Sequence, residues 1–351
     1  MARPRVAIVL FNLGGPDRPE AIAPFLRNLF SDPAVLGVPW PIRAVLARRV
    51  ARARQAPASA SYAHLGGRSP LLGQTEQQGA RLAAALPELD TRAFVAMRYW
   101  HPMSREAARA IKAWNPDEVV LLPLYPQFSV ATTGSSLTAW REAASAVGLA
   151  KTTRTICCWY ADPGYVAALA AIVRRSLEAA SASLPADTRL RVLYSAHGLP
   201  KRIVAGGDPY RMQIEATVAA VQRALGPDSP DFRISFQSRA TPEPWLEPST
   251  TDEIARAGAE RTGLLVVPIA FVSEHSETLV ELDIDYRELA EKAGVPAWFR
   301  APTPGVDPLF IEALAGLVRE VRARPPGLSQ LSGSGPCGER YPRCPLCGLG
   351  R

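Results

Sequence analysis

A change of hydrophobic period between Gly263 and Tyr286 constrains this chain more than any other stretch. Leu264 to Ala270 is an unbroken apolar run with the length and β-branched content of a strand buried on both faces, the kind found in parallel sheets. After Ser273-Glu274-His275 the period becomes helical, and Glu277, Glu281 and Asp285 recur every fourth residue. On a helix that spacing returns to nearly one face, so the carboxylates form a row. Like charges at that spacing repel, and the row costs stability unless a cation uses it. Open α/β sheets bind ligands at the C-terminal ends of their strands, so the cation expected here is a metal ion. A solvated acidic face is the commoner fate of such residues, but Glu274 and His275 at the strand-to-helix corner argue against it.

The chain has 351 residues, enough for two domains or one large α/β unit. At 47% hydrophobic and 21% charged, its composition excludes a disordered chain, and no apolar run reaches membrane-spanning length. The net charge of +7 is mostly arginine, much of it between Arg43 and Arg54, so the basic character is local. Such a charge suits an anionic membrane surface, an acidic small molecule or nucleic acid. Val6 to Phe11 is too short for a signal-peptide core, so a cytoplasmic location is expected and the five cysteines read as metal or redox residues before disulfides.

Strands are expected over Val6–Leu13, Ala93–Met97, Asp117–Tyr125, Leu190–Tyr194 and Arg233–Gln237, separated by helical spacing over Ala21–Phe30, Gln74–Leu86 and Tyr165–Ala182. The alternation predicts an α/β fold with parallel sheets. Val35 to Ile42 carries two prolines around Trp40 and reads as an irregular apolar loop. It leads into a helix with Ile42, Val45, Leu46 and Val50 on one face and Arg43, Arg48, Arg49, Arg52 and Arg54 on the other, a pattern of scaffold helices and of membrane-surface helices alike. Arg98, Tyr99, Trp100 and His101 at a strand end suggest a pocket wall. The stretches VVLLPLYPQFSVATTGSS and LLVVPIAFVSEHSETL both run apolar, proline, apolar, then hydroxyl-rich, an echo that fits two similar βα domains facing each other across a cleft.

Of the four histidines, His197 and His275 follow predicted strand ends. Imidazole with carboxylate can bind a first-row divalent metal and exchange protons near neutral pH. NLGGP at 12–16, RYWHP at 98–102, YPQFSVATTGSS at 125–136, SAHGLP at 195–200, QSR with PWL at 237–246 and FVSEHSETLVELDIDY at 271–286 together resemble ferrochelatase, in that family's order and from end to end.

The resemblance implies two Rossmann-like domains, each a four-stranded parallel sheet flanked by helices, with residues 1–150 and 151–302 as the domains and 303–351 as a C-terminal helix, linker and tail. It implies insertion of ferrous iron into protoporphyrin IX to give protohaem, with two protons released. The family motif puts His197 on one side of the porphyrin and Glu277 on the other, with His275 close by. Glu281 and Asp285 extend a path for iron or protons, and the clustered carboxylates are expected to have raised pKa values. Leu13, Phe30, Tyr62, Arg98, Tyr99, Ser129, Ser238 and Trp245 match porphyrin-lining positions, and Arg52 and Arg54 lie where propionates could be met. The Trp40 region matches a lip turned towards the membrane, so peripheral membrane contact is expected, and no nucleic acid. Rival readings are a same-fold chelatase for coproporphyrin or another metal, and a haem carrier.

Near the C-terminus, RPPGLSQLSGSGP reads as a linker, followed by Cys337, Cys344 and Cys347 in a C-x6-C-x2-C spacing. Three cysteines are one short of a usual metal set. Some ferrochelatases hold a [2Fe–2S] cluster on such a tail with one further thiolate. Cys158 is the preferred fourth ligand, Cys157 the alternative, and structural zinc on the same ligands the rival to the cluster.

Overall fold

The computed structural model describes residues 3–239, 241–331, 337 and 340–346. The chain divides into two compact units, one running to Cys158 and taking in Leu314–Leu331, the other holding Trp159–Ala313 and the described tail residues.

In the first unit the strands are β1 (Arg5–Asn12), β2 (Asp90–Met97), β3 (Glu118–Pro123) and β4 (Thr152–Ile156), all parallel, in the order β2-β1-β3-β4. Helices α1 (Ile22–Ser31), α2 (Trp40–Ala63) and α3 (Leu71–Ala84) separate β1 from β2. Helix α4 (Ser104–Trp114) joins β2 to β3, and α5 (Ser135–Val147) joins β3 to β4. Every residue of β3 is buried, and Val9, Phe11, Val119 and Leu121 share one core with Ala107 and Ile111 of α4 and Trp140 of α5. This double-sided burial is what continuous apolar strands demand.

The second unit repeats the plan. Strands β5 (Arg189–His197), β6 (Phe232–Gln237), β7 (Thr262–Pro268) and β8 (Trp298–Arg300) are parallel in the order β6-β5-β7-β8. Helix α6 (Pro163–Ser181) precedes β5, α7 (Lys201–Ala205) and α8 (Tyr210–Leu225) follow it, and α9 (Thr250–Ala259) precedes β7. Helix α10 (Tyr286–Lys292) leads towards β8, and α11 (Pro308–Arg322) follows that strand. Counted within its own unit, the second sheet and the first four strands of the first share the order 2-1-3-4, and β3 and β7 both end on a proline. The echo between the two sequence stretches therefore has a structural counterpart.

Two expectations about the first unit are corrected. Its sheet has five strands, because Gly327–Ser329 (β9) pairs in parallel with β4. The Cys157 N–H donates to the Ser329 carbonyl at 2.7 Å and the Leu331 N–H to the Cys158 carbonyl at 3.1 Å. Part of the expected linker is thus a strand, since it finds the open edge of β4. The Trp40 region, expected to be irregular, is the first turn of α2. Pro41 is tolerated there because that turn has no intrahelical use for its missing N–H.

Helix α2 packs against α1. Ala47, Ala51 and Tyr62 are buried, in one cluster with Phe25, Leu26 and Phe30 of α1. Trp40 is 72% exposed, Ile42 54% and Val45 49%. Small alanines leave room for the α1 aromatics; Val50 packs against the same cluster, while Trp40, Ile42 and Val45 are left outward.

Candidate functional site

The site is built where β5, β6 and the segment after β7 end together. His197 is the last residue of β5 and lies opposite Gln237, the last of β6. Beyond β5 the Gly198 N–H donates to the Gln237 carbonyl at 2.7 Å. A Cβ at Gly198 would meet the Gln237 and Ser238 carbonyl oxygens at 3.0 Å and the Trp245 ring at 3.2 Å, so glycine permits this close approach. Ser238 itself sits at φ +63°, a left-handed conformation uncommon outside glycine. The Tyr210 hydroxyl donates to the His197 carbonyl at 3.0 Å, and the Trp245 ring packs edgewise on the His197 ring at 6.3 Å between centroids.

After β7 the chain turns through Ser273–Ser276 and enters a π-helix, Glu277–Asp285. The Tyr286 N–H donates to the Glu281 carbonyl, five residues back rather than the four of an α-helix. The expected α-helix is therefore widened by one residue per hydrogen-bonded turn. Leu282, fully buried with Leu193, Leu264 and Val266, anchors this helix to the sheet. Burying one leucine side chain stabilises by roughly 1.5–3 kcal/mol. Glu277 and Glu281 are half-buried, and Asp285 is exposed.

Glu277 stands between two imidazoles. Its Oε1 lies 3.2 Å from His197 Nε2 and its Oε2 lies 2.8 Å from His275 Nε2. Each ring turns its Nδ1 to a main-chain carbonyl, His197 to Gly198 at 2.6 Å and His275 to Ser273 at 3.1 Å. A carbonyl can only accept, so each Nδ1 carries hydrogen. At His197 a further proton on Nε2 is then what makes the contact to the Glu277 carboxylate favourable.

Burial opposes the His197 imidazolium, but the Glu277 carboxylate, its hydrogen bond and the charge of Glu281 outweigh it and push the pKa up to about 9. Burial likewise opposes ionisation of Glu277, yet the charge and hydrogen bond of His197, with those of His275, hold its carboxyl well below the usual range. This corrects the expectation of raised values along the whole row. It holds at Glu281, where burial and then the Glu277 charge raise the pKa. Glu281 Oε2 accepts from Ser238 Oγ at 2.6 Å and Gln237 Nε2 at 3.2 Å, and Oε1 from Tyr286 Oη at 2.8 Å. Those donors are uncharged, so they cannot lower the carboxyl as two imidazoles do.

The remaining predicted residues fall in separate places. Leu13, Phe30, Tyr62 and Tyr99 belong to one apolar cluster of the first unit. Arg98 pairs with buried Asp32 at 2.7 Å, and Asp32 also accepts from the Tyr99 hydroxyl at 2.8 Å and from Ser135. Ser129 is fully buried and accepts from the Ala131 N–H at 3.2 Å, capping a short π-helical turn, Val130–Gly134, after β3. Sequence reading missed Gln237, Tyr210 and Tyr286 as partners of the site. Gln237 lies in the QSR motif and was within reach, whereas Tyr210 carries no local signal.

Among the described residues, no three His, Cys, Asp or Glu side chains form a ready metal-ligand group. Cys157 and Cys158 are fully buried beyond β4 in the first unit, and Cys344 is buried in the second. Cys337, half-buried, accepts from Gln213 Nε2 at 3.2 Å, and Cys347 lies outside the described residues. The described cysteines alone do not make up a cluster site.

The fold is similar to that of SirB from Bacillus subtilis with Fe3+, with a TM-score of 0.51 and 12% identity over 91% of this chain and 96% of that one. Fold and site together define a two-unit α/β protein with a carboxylate held between two imidazoles at its strand ends. The ferrochelatase family model matches residues 5–322. The ferrochelatase of Phenylobacterium zucineum is 53% identical over 89% of this chain and 90% of its own length, and that of Caulobacter vibrioides is 47% identical over 97% of each. The chain belongs to the ferrochelatase family.

Proposed function

We propose that this chain inserts ferrous iron into protoporphyrin IX to form protohaem, with His197 and Glu277 as the working pair and His275 as the second support of Glu277. The observation that carries the reading is one carboxylate held between two imidazoles at the ends of β5 and the post-β7 segment, in a chain of the ferrochelatase family. Replacing two pyrrole N–H protons by Fe2+ requires a group that attracts the cation and a group that accepts protons. Glu277, held anionic, attracts the metal. His197 must lose its shared proton before it can accept one, and the metal's charge beside Glu277 drives that loss. Glu281, with its raised pKa, is suited to receive a proton leaving the pair, and exposed Asp285 continues the path outward.

Leu13, Phe30, Tyr62, Arg98, Tyr99, Ser129, Ser238 and Trp245 are proposed as porphyrin-lining positions. Support comes from the shared apolar cluster of Leu13, Phe30, Tyr62 and Tyr99 and from the packing of Trp245 on His197. Exposed Trp40, Ile42 and Val45 beside the α2 arginines support peripheral contact with a membrane, and no described helix is long and apolar enough to cross one. The tail, with Cys337, Cys344, Cys347 and Cys158 as ligands, is proposed to carry a [2Fe–2S] cluster. That proposal rests on the sequence spacing and supplies no step of insertion.

The test is metal insertion into protoporphyrin and coproporphyrin in parallel, followed by porphyrin fluorescence. Turnover with protoporphyrin supports the reading. Turnover with coproporphyrin alone would make the chain a coproporphyrin chelatase, and binding without turnover would make it a carrier.

A further inference from the structure

The segment that carries His275 and Glu277 is gripped from the sheet edge by one arginine. Arg300 closes β8, whose residues pair with Leu264, Leu265 and Val266 of β7. Its guanidinium forms a two-pronged pair with Asp283 of the π-helix, Nε to Oδ1 at 2.6 Å and Nη2 to Oδ2 at 2.8 Å. Its third nitrogen, Nη1, donates to Glu274 Oε1 at 3.0 Å and to the Ala301 carbonyl at 3.2 Å. The Thr303 N–H donates to the same Glu274 oxygen at 2.9 Å. The side chain of Arg300 is only 12% exposed, with those of Glu274 at 18% and Asp283 at 26%.

The two carboxylates that Arg300 holds bracket the site in sequence. Glu274 immediately precedes His275, and Asp283 lies two residues beyond Glu281. The carboxylates after β7 are thereby divided by partner. Arg300 takes Glu274 and Asp283, the imidazoles take Glu277, and uncharged donors take Glu281. The fixed positive charge is spent on carboxylates outside the working pair.

We propose that Arg300 is a positioning residue for metal insertion, acting through Asp283 and Glu274 to hold the Glu277 carboxylate and the π-helix in register with His197. The planar fork does what a point charge cannot. It fixes the orientation of Asp283 about two bonds while its remaining edge holds the turn before His275. Lysine would keep the charge and lose the geometry. This inference rests on the His197–Glu277 reading of the site.

The experiment is a set of zinc-insertion kinetics on the full chain with Arg300→Lys, Arg300→Gln, Asp283→Asn and the Arg300→Gln/Asp283→Asn double variant, alongside Glu277→Gln. The expected result for Arg300→Lys is a folded protein whose kcat falls roughly 10- to 100-fold with the KM for porphyrin little changed. The double variant is expected to lose no more than the worse single, because both residues act through one contact. Guanidinium added to Arg300→Gln is expected to restore part of kcat, a rescue that a general loss of stability would not show. Near wild-type kcat in folded Arg300→Lys and Asp283→Asn would overturn the inference, as would additive losses without rescue. If Glu277→Gln were active, the underlying site assignment would fail instead, so the two failures are separable.

Discussion

Glu277 Oε1 and His197 Nε2 stand 3.2 Å apart, the carboxylate on a π-helix anchored by buried Leu282 and the imidazole at the end of a parallel strand. The contact ties the charge state of one residue to that of the other. It therefore makes the pair's proton inventory measurable without substrate.

The His197 imidazole is expected to titrate at about 9 in the intact protein. Glu277→Gln removes the charge that opposes the burial cost, and the midpoint is expected to fall by about 1–3 units. Imidazole NMR, with His197→Ala to assign the resonance, measures both. The sign also fixes a stability effect. A raised histidine pKa stabilises the fold fully below the unfolded value of about 6.5, and that stabilisation is lost as pH rises through about 9. His197→Ala is thus expected to flatten the stability profile across that window. An unchanged profile and an unshifted titration in Glu277→Gln would both count against the pair.

Glu281→Gln is expected to slow insertion more than Asp285→Asn. Glu281 accepts from three donors, and an amide there turns an N–H against one of them, whereas Asp285 is exposed at the outer end of the helix. Both losses should grow as metal becomes limiting, read as a rise in the KM for metal. Equal effects at Glu277, Glu281 and Asp285 would replace the path with a simple acidic patch.

Trp40→Ala is expected to leave the melting temperature unchanged, because the side chain is 72% exposed, and to weaken sedimentation with anionic vesicles. Binding that falls with salt but not with loss of Trp40 would assign the contact to the α2 arginines alone.

The tail is tested by colour. With a [2Fe–2S] cluster, the purified protein is reddish-brown and holds iron and acid-labile sulfide in equal amounts. Serine at Cys158 or Cys157, one at a time, bleaches it in one case only. Colourless protein from anaerobic purification, containing zinc and no sulfide, would replace the cluster with structural zinc.

The central strands were readable because their burial on both faces leaves nearly continuous apolar runs, as at Leu264 to Ala270, whereas β8 and β9, three residues each and only partly buried, were not. The π-helix was not, since a period of four lies between the returns of the two helix types and selects neither. In α2 the pattern suits a buried face and a surface face alike, and the structure decides between them residue by residue. Ile42 and Val45 are exposed, while Ala47 and Ala51 are buried and Val50 packs against their cluster. His197, His275 and Glu277 were legible from their motifs, whereas their protonation was not. It follows from which side chain lies opposite which, as the lowered pKa of Glu277 and raised pKa of Glu281 show. Arg300 had no motif to mark it, because its partners lie 17 and 26 residues away in sequence.

The account turns on Glu277, and the most direct measurement is the steady-state rate of zinc insertion into protoporphyrin by Glu277→Gln. The amide preserves shape but neither attracts the cation nor takes part in proton exchange. The predicted result is a folded protein that binds porphyrin and loses at least about 100-fold in kcat. Turnover close to that of the wild type would contradict the assignment.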